Sequence, residues 1–199
     1  RTWNAYVELP GARRTLVMIA LGTAAFAMQD VLLEPYGGQV LLLSIGETTA
    51  LTGWLTAGTL AGFVIAAHQL SRDTDAYRLA GFGLLAGLIA FPCVILSAPA
   101  ASTTLLLAGT VLIGLGSGLF SVSTLTAAMG IARKARNGVA LGAWGAVQAT
   151  AAGLGIAASG TIRDGVTHLA ANGTLGPAFA GNAAGYTTVY HIEIVLLFA

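Results

Sequence analysis

Charged side chains are scarce in this sequence. They make up 9% of the residues, against about 25% in a typical soluble domain, while hydrophobic residues make up 56% and the mean hydropathy is +0.81. This scarcity excludes an ordinary soluble domain, and a net charge of +1 gives no case for nucleic-acid binding. The composition therefore indicates an integral membrane protein.

Cysteine and the common catalytic motifs are almost entirely lacking. The single cysteine, Cys93, excludes an internal disulfide and a cysteine cluster. The sequence has no GxGxxG or P-loop pattern, no metal-ligand cluster and no nucleophile–base pair. We therefore expect neither an enzyme nor a metal site.

Long apolar runs dominate what is present. A helix needs about 20 mostly apolar residues to cross the hydrocarbon core, and six runs meet or approach this length: 15–33, 48–70, 79–96, 103–128, 139–159 and 185–199. The segment 164–184 is rich in Gly, Ala and Asn and lacks helical periodicity, so we predict a long external loop there. The chain starts without Met and the last run stops within a helix, so we expect a piece of a longer protein.

Turn and capping signals suggest where two of these helices end or begin. Pro35 disfavours helix at Glu34, and Gly37 and Gly38 allow a turn, so the first helix should end near Glu34. Ser44 and Glu47 have the capping-box spacing and should start the second.

The basic residues predict an orientation. All but one of the nine Lys and Arg residues fall before the first span, between the second and third, or between the fourth and fifth. Only Arg163 falls on the other side. Short cytoplasmic loops hold most basic residues, so we expect both chain ends to be cytoplasmic.

Glycine is abundant, at 27 of 199 residues. Many glycines recur four residues apart, which places them on one helix face where neighbouring backbones can approach closely. We predict a role in helix packing for Gly58, Gly62, Gly83, Gly87, Gly114, Gly118, Gly138, Gly142 and Gly145.

The stretch "FAMQDVLLEPYGG" carries an amide and two carboxylates at the end of an apolar run. On a continuous helix Asp30 and Glu34 are neighbours one turn apart, and two carboxyl groups that close could share a proton. Gln29 lies about 100° around the helix from Asp30. Two interpretations stay open. These groups either cap the helix at the water interface or contact a ligand or partner, as ionisable residues in membrane spans often do.

Four further polar or aromatic residues in the spans are candidate ligand or partner contacts. Trp144 and Gln148 share a face of the fifth span, where Gln148 either bonds a neighbouring helix or contacts a ligand. His191 and Glu193 lie on different faces of the sixth span, so each needs its own partner.

Three segments resemble one known family. "FAMQDVLLEPYGGQVL", "GAWGAVQATAAGLG" and "YHIEIVLLF" resemble the PucC/LhaA family, the bacteriochlorophyll-delivery branch of the major facilitator superfamily in phototrophic bacteria. The loop "SRDTDAYRLAG" is similar to the superfamily's G-x-x-x-D-R-x-G-R-R motif, but Arg72 and Asp73 are inverted and the final basic pair is reduced to Arg78. This departure puts ordinary transport gating in question.

The resemblance implies an all-α polytopic membrane protein, with this chain as the C-terminal six-helix half of a twelve-helix bundle. It implies an assembly factor in the intracytoplasmic photosynthetic part of the bacterial inner membrane, which binds bacteriochlorophyll transiently. Its expected partners are light-harvesting antenna polypeptides and the reaction-centre complex. Two alternatives stay open: a proton-coupled transporter that uses Asp30, Glu34 or Glu193, and a pigment-free scaffold.

Overall fold

The computed structural model describes residues 6–132, 137–176, 181 and 183–199, and this part of the chain contains helices and no β-strand. A 3-10 turn, Gln29–Val31, lies between the first two helices below. The helices are α1 (Ala12–Met28), α2 (Leu33–Gln39), α3 (Ile45–Leu70), α4 (Ala76–Ser97), α5 (Thr103–Ile131), α6 (Asn137–Ala171) and α7 (Ala184–Phe198).

In the described part of the chain, five segments are long and apolar enough to cross a membrane. They are the segment Ala12–Gln39 formed by α1 and α2, the helices α3, α4 and α5, and Gly138–Ala171 within α6. The shorter apolar helix α7 coincides with the sixth predicted span. The prediction of an all-helical polytopic membrane protein is therefore confirmed.

The first membrane segment does not end near Glu34 as predicted. It breaks earlier, at Gln29–Val31, and then continues as α2 to Gln39. Pro35 is tolerated because it lies in the first turn of α2, where its missing N–H would have had no partner within the helix. The two glycines that follow lie inside α2 and do not turn the chain.

The fifth membrane segment is longer than predicted. Helix α6 continues to Ala171, into the segment that was predicted to be loop from residue 164. Residues 164–168 have low helix propensity, so packing rather than propensity extends the helix: a Cβ at Gly185 on α7 would lie 2.5 Å from the carbonyl oxygen of Arg163. The rest of the predicted loop includes residues 177–180 and 182, which lie outside the described residues, as does the basic segment 133–136.

The capping box predicted at the start of α3 is present. The backbone N–H of Ser44 donates to Glu47 Oε2 over 2.8 Å, and the N–H of Glu47 donates to Ser44 Oγ over 3.4 Å.

Glycines bring the backbones of α3 and α5 into contact. A Cβ added at Gly58 or Gly62 would strike the carbonyl oxygen of Val111 or Leu115 on α5. On the other side of this contact, Gly114 and Gly118 face the carbonyl oxygens of Leu55 and Thr59 on α3. All four predicted glycines therefore lie where α3 and α5 pack backbone to backbone.

The α4 glycines also lie at helix contacts, but against different neighbours. A Cβ at Gly83 would lie 2.7 Å from the carbonyl oxygen of Gly116 on α5. One at Gly87 would lie 2.8 Å from Leu197 Cδ1 on α7.

Three predicted packing glycines make no such contact. A Cβ at Gly138, Gly142 or Gly145 would meet nothing within 4 Å. The buried stripe of α6 instead includes Ala140, Ala143, Ala151, Gly155 and Ser159, and a Cβ at Gly155 would lie 2.9 Å from the carbonyl oxygen of Ala24 on α1. No helix backbone lies against these three glycines, because α6 makes its close contacts with other helices through the buried stripe.

Two hydrogen bonds show which helix ends lie together. Thr15 Oγ1 and Tyr77 Oη are 2.9 Å apart, which joins the starts of α1 and α4. Tyr6 Oη donates to the carbonyl oxygen of Ala128, close to the end of α5, over 3.1 Å. Arg13, Arg14, Arg72 and Arg78 therefore share one end of the bundle with the end of α5.

Candidate functional site

A cavity of ≈ 430 Å³ lies between α1, α3, α5 and α6. Two of its lining side chains are aromatic, Phe26 and Phe120. Seven are polar and come from all four helices and the 3-10 turn: Thr23, Gln29, Asp30, Thr59, Ser117, Ser121 and Gln148. Gln148 and Gly145 line the cavity from α6, and Leu55 and Thr59 line it from α3.

The 3-10 turn places Gln29 and Asp30 at the cavity. Gln29 is 2% exposed, and its Nε2 donates to Asp30 Oδ1 over 2.5 Å. The Oε1 of Gln29 is buried and has no hydrogen-bond partner among the described residues. Asp30 lines the cavity, whereas Glu34, four residues later, accepts a hydrogen bond from Thr52 outside it.

Polar contacts join α6 to α5 beside the cavity. Gln148 Nε2 donates to Ser121 Oγ over 3.3 Å, so the predicted bond from Gln148 to a neighbouring helix is present. Trp144 Nε1 donates to Thr124 Oγ1 over 3.2 Å one turn away, although Trp144 itself does not line the cavity. At 3.3 Å this bond is slightly longer than the usual range of about 2.7–3.2 Å for an N–H···O hydrogen bond.

Small residues and aromatic rings shape the apolar part of this cavity. The rings of Phe26 and Phe120 lie 6.0 Å apart, and Phe120 packs over Gly22, where a Cβ would strike the ring. Gly145 lines the cavity and has open space where a Cβ would be. Its role here is to leave room in the cavity, which differs from the helix packing that the sequence suggested.

Two candidate residues lie away from the cavity. Glu34 is exposed and accepts a 2.5 Å hydrogen bond from Thr52 Oγ1 on α3, which fits the interface alternative for this residue. His191 is exposed, and its Nδ1 lies 2.7 Å from the carbonyl oxygen of Thr187 one turn earlier. Neither side chain is placed to contact a molecule in the cavity.

Glu193 is the most deeply buried of the candidate residues. It is 0% exposed, and neither carboxyl oxygen has a hydrogen-bond partner among the described residues. Glu193 does not line the cavity.

Sequence reasoning missed a tyrosine cluster beside Glu193. The ring of Tyr36 packs edge-on against Tyr186 and Tyr190, at centroid distances of 5.5 and 5.4 Å. Tyr36 Oη donates to the carbonyl oxygen of Val94 over 3.0 Å. The four-residue spacing of Tyr186 and Tyr190 was the available signal, since it places two aromatic rings on one face of α7.

Sequence reasoning also did not identify Arg163 as a contact residue. It lies at the end of the bundle opposite to the one that holds Arg13, Arg14, Arg72 and Arg78. Its guanidinium lies 4.6 Å from the ring centre of Tyr186 and donates to Gln39 Oε1 over 2.9 Å. A 2.7 Å ion pair with Asp164 completes its contacts. This group, which we call the Arg163 clasp (Arg163, Tyr186 and Gln39), connects α6, α7 and α2. The only signal for this group in the sequence was that Arg163 is the one basic residue on the side of the membrane opposite to the other eight.

Comparison with known proteins adds family information to this geometry. The family model described as "PUCC protein" matches residues 1–199. A protein named PucC from Rhodovulum sulfidophilum is 51% identical over 82% of this chain and 36% of its own length. An uncharacterised protein of the puhA-bchM intergenic region of Rhodobacter capsulatus is 50% identical over 98% of this chain and 41% of its own length.

A more distant relative carries a different name. The bacteriochlorophyll synthase 44.5 kDa chain of Rhodobacter capsulatus is 34% identical over 73% of this chain and 35% of its own length. The chain thus spans about two fifths of the length of these relatives or somewhat less. No solved structure matches it. Because the family model covers every residue and two relatives are at least half identical, the chain belongs to the PucC family.

Proposed function

We propose that this protein is an assembly factor for bacterial light-harvesting antenna complexes, and that it holds bacteriochlorophyll as cargo in the cavity between α1, α3, α5 and α6. Membership of the PucC family supports the link to photosynthesis. The name of the bacteriochlorophyll synthase chain supports a link to the pigment. The observation that carries the pigment proposal is the cavity itself, which lies among membrane-spanning helices and combines aromatic walls with hydrogen-bonding groups.

The residues at the cavity suit the chemistry of a chlorin. Its volume of ≈ 430 Å³ falls within the range of about 300–1,000 Å³ that is typical of small-molecule sites, so it would hold one part of the pigment while the remainder extends out of the cavity. A chlorin is a flat, apolar plate with carbonyl substituents at its edge. Phe26 and Phe120 offer apolar contact to such a plate, and the amide of Gln148 offers a hydrogen-bond donor to a carbonyl.

The proposal extends to the whole protein and its surroundings. We propose that this chain is one half of a twelve-helix major-facilitator-type protein of the bacterial inner membrane, with both ends of this half cytoplasmic. The grouping of Arg13, Arg14, Arg72 and Arg78 at one end of the bundle supports this orientation. Antenna polypeptides and the reaction-centre complex are the proposed partners.

Absorption spectroscopy of the purified full-length protein, prepared from cells that lack antenna polypeptides, tests the pigment proposal. We expect a bound chlorin with a spectrum shifted from that of the free pigment. We expect Gln148→Leu to weaken its binding about tenfold, because loss of one hydrogen bond costs about 1.4 kcal/mol. Gln69→Leu, which removes an amide near the far end of α3 and outside the cavity, is the matched control.

Two results would contradict the pigment proposal. A protein that carries no pigment and takes none up in detergent or lipid would favour the scaffold alternative. Equal loss of binding in Gln148→Leu and Gln69→Leu would show that the cavity is not the binding site.

A proton-coupled transporter is the second candidate function. The observation that favours it is the carboxyl group of Asp30 at the cavity, together with the fully buried carboxyl group of Glu193 in α7. This alternative predicts solute uptake by reconstituted vesicles that is lost in Asp30→Asn. Uptake assays in vesicles therefore separate it from pigment delivery.

A further inference from the structure

His191 lies on the outer surface of α7 at a depth where the membrane is hydrocarbon. Its neighbour in the chain, Tyr190, has its ring centre 6.2 Å from that of Phe91, and Phe91 lies six residues before the last residue of α4. Six residues of helix span about 9 Å, and the whole of α4, with 22 residues, is about as long as the hydrocarbon core is thick. His191 is therefore inside the span, although its side chain is exposed.

One hydrogen bond fixes the tautomer of this imidazole. The Nδ1 atom of His191 lies 2.7 Å from the carbonyl oxygen of Thr187. A carbonyl oxygen can only accept a hydrogen bond, so Nδ1 carries the proton and donates it. Because a charged ring is unfavourable at this depth, the imidazole is neutral and Nε2 keeps its lone pair. Among the described residues, the bond to Thr187 is the one hydrogen bond that this ring makes.

The surface around His191 is apolar and open. Val195 lies one helical turn and Phe198 two turns further along the same face of α7, and they are 65% and 75% exposed. Helix α7 contributes no residue to the cavity between α1, α3, α5 and α6, so this face is separate from the cavity. Lipid chains offer no donor to Nε2, so its lone pair is unfavourable there unless a ligand or partner covers it.

The arrangement of the two ring nitrogens matches that of a metal-binding histidine. Such histidines bind the metal through one nitrogen of the neutral ring and donate the other N–H to a carboxylate or a backbone carbonyl. The bond from Nδ1 to the carbonyl oxygen of Thr187 is a contact of the second kind, and it leaves Nε2 as the metal-binding atom.

The metal must bring its remaining ligands with it. In the described part of the chain, no group of three or more His, Cys, Asp or Glu residues could hold a bare ion. A magnesium chlorin has the required chemistry, because its ring nitrogens already surround the metal and leave an axial position open. Its apolar plate also suits the exposed side chains of Val195 and Phe198.

We propose that the outer face of α7 carries a second pigment position, in which Nε2 of His191 is the axial ligand of the magnesium in a chlorin. On binding, Nε2 donates its lone pair to the metal, the solvent molecule held there leaves, and no proton or electron is transferred. A pigment at this position is open to the membrane, so an antenna polypeptide can take it from the side of the bundle. The inference rests on the proposed pigment-handling function but concerns a different place on the protein.

Comparison of bacteriochlorophyll with its magnesium-free form tests this proposal. Each is titrated into the purified, pigment-free full-length protein in lipid nanodiscs. We expect wild type to bind two molecules of the magnesium pigment and only one of the magnesium-free form, which has no metal for Nε2. We expect His191→Phe to weaken the second magnesium-pigment position by about a hundredfold, since loss of even an outer contact of a metal-bound histidine costs about 10–100-fold in affinity.

Nitrogen NMR of isotope-labelled histidine supplies a readout that does not depend on affinity. We expect the magnesium pigment to shift one histidine signal, and this signal to be missing in His191→Phe. His168→Phe is the matched control, because His168 is also exposed but its Nδ1 lies 3.3 Å from Asn172 Nδ2 and not against a carbonyl oxygen. It should bind both pigments as wild type does. Because His191 is exposed, its replacement should leave Tm unchanged, and His191→Leu serves as a second variant.

Three results would overturn the proposal. Equal numbers of bound magnesium pigments in wild type and His191→Phe would show that Nε2 is not a ligand. Equal binding of the two pigment forms at the second position would show contact with the plate but no bond to the metal. If His191→Phe lost an antenna polypeptide and no pigment, Nε2 would accept a hydrogen bond from a partner helix.

The same titrations separate this inference from the cavity proposal. Loss of a pigment in Gln148→Leu but not in His191→Phe would leave the cavity standing and remove the position on α7. Loss in His191→Phe but not in Gln148→Leu would do the reverse. A protein that binds neither pigment would contradict both.

Discussion

Replacement of Gly62 by alanine is the sharpest test of how this bundle is held together. A Cβ at this position would lie 2.5 Å from the carbonyl oxygen of Leu115 and 2.9 Å from the backbone nitrogen of Leu119. Both atoms belong to the backbone of α5, so no side-chain rotation can relieve the contact. The two helices must move apart along a line that also includes Gly58, Gly114 and Gly118.

The expected change in the free energy of unfolding is the difference between two opposing effects. Overpacking of a close contact costs about 1–3 kcal/mol, and backbone contacts belong at the upper end of that range. Alanine is better than glycine in a helix by about 1 kcal/mol, which offsets part of the cost. We therefore expect Gly62→Ala to lower the free energy of unfolding by about 2 kcal/mol, which corresponds to a fall in Tm of about 4–8 °C for a chain of this size.

Gly142→Ala is the matched control. It lies within α6, where a Cβ would meet nothing within 4 Å, so only the gain in helix propensity applies. Thermal unfolding of the purified protein, followed by size-exclusion chromatography after heating, should rank Gly62→Ala below wild type and Gly142→Ala at or above it. Equal Tm values for Gly62→Ala and wild type would refute the argument that α3 and α5 pack through their backbones.

Two further predictions follow from hydrogen bonds in the structure. Tyr36→Phe removes the bond to the carbonyl oxygen of Val94, so it should lower the free energy of unfolding by about 1 kcal/mol in the same thermal assay; an unchanged Tm would contradict this. Asp30→Asn should reduce antenna assembly about ten- to a hundredfold, because loss of a charged hydrogen bond to cargo or partner costs about 1.5–3 kcal/mol. Glu34→Gln, which lies outside the cavity, should leave assembly at the parental rate when antenna absorbance is compared at equal protein levels. Equal assembly in both variants would favour a capping role for Asp30 as well.

The sequence was most informative where one physical effect dominates. Apolar runs long enough to cross a membrane predicted the helices, because a bilayer leaves the backbone few other ways to satisfy its hydrogen bonds. Pairs such as Gly58 with Gly62 predicted close packing, and both residues lie at the α3–α5 contact. Ser44 and Glu47 predicted a helix start that is present.

The sequence was less informative where the outcome depends on neighbouring helices. Pro35 can end one helix or occupy the first turn of the next, and only the break at Gln29–Val31 decides between them. Gly142 and Gly145 recur at close spacing as the packing glycines do, but no neighbouring helix lies against either of them, and Gly145 borders the cavity instead. For the candidate site, Gln29, Asp30 and Gln148 do meet at one cavity, whereas Glu34 and His191 do not.

The close α3–α5 contact also has a consequence for biogenesis. Helices α3, α4 and α5 follow one another in the chain and share the most extensive contacts in the bundle, so they can associate as soon as α5 has left the ribosome. Helix α1 packs mainly against α6, whose residues are synthesised more than a hundred positions later. During that interval Gln29 and Asp30 lie in the membrane without α6 and α7. The nascent chain therefore passes through a stage in which this amide and this carboxyl group can interact only with lipid, water or the insertion machinery, and not with α6 or α7.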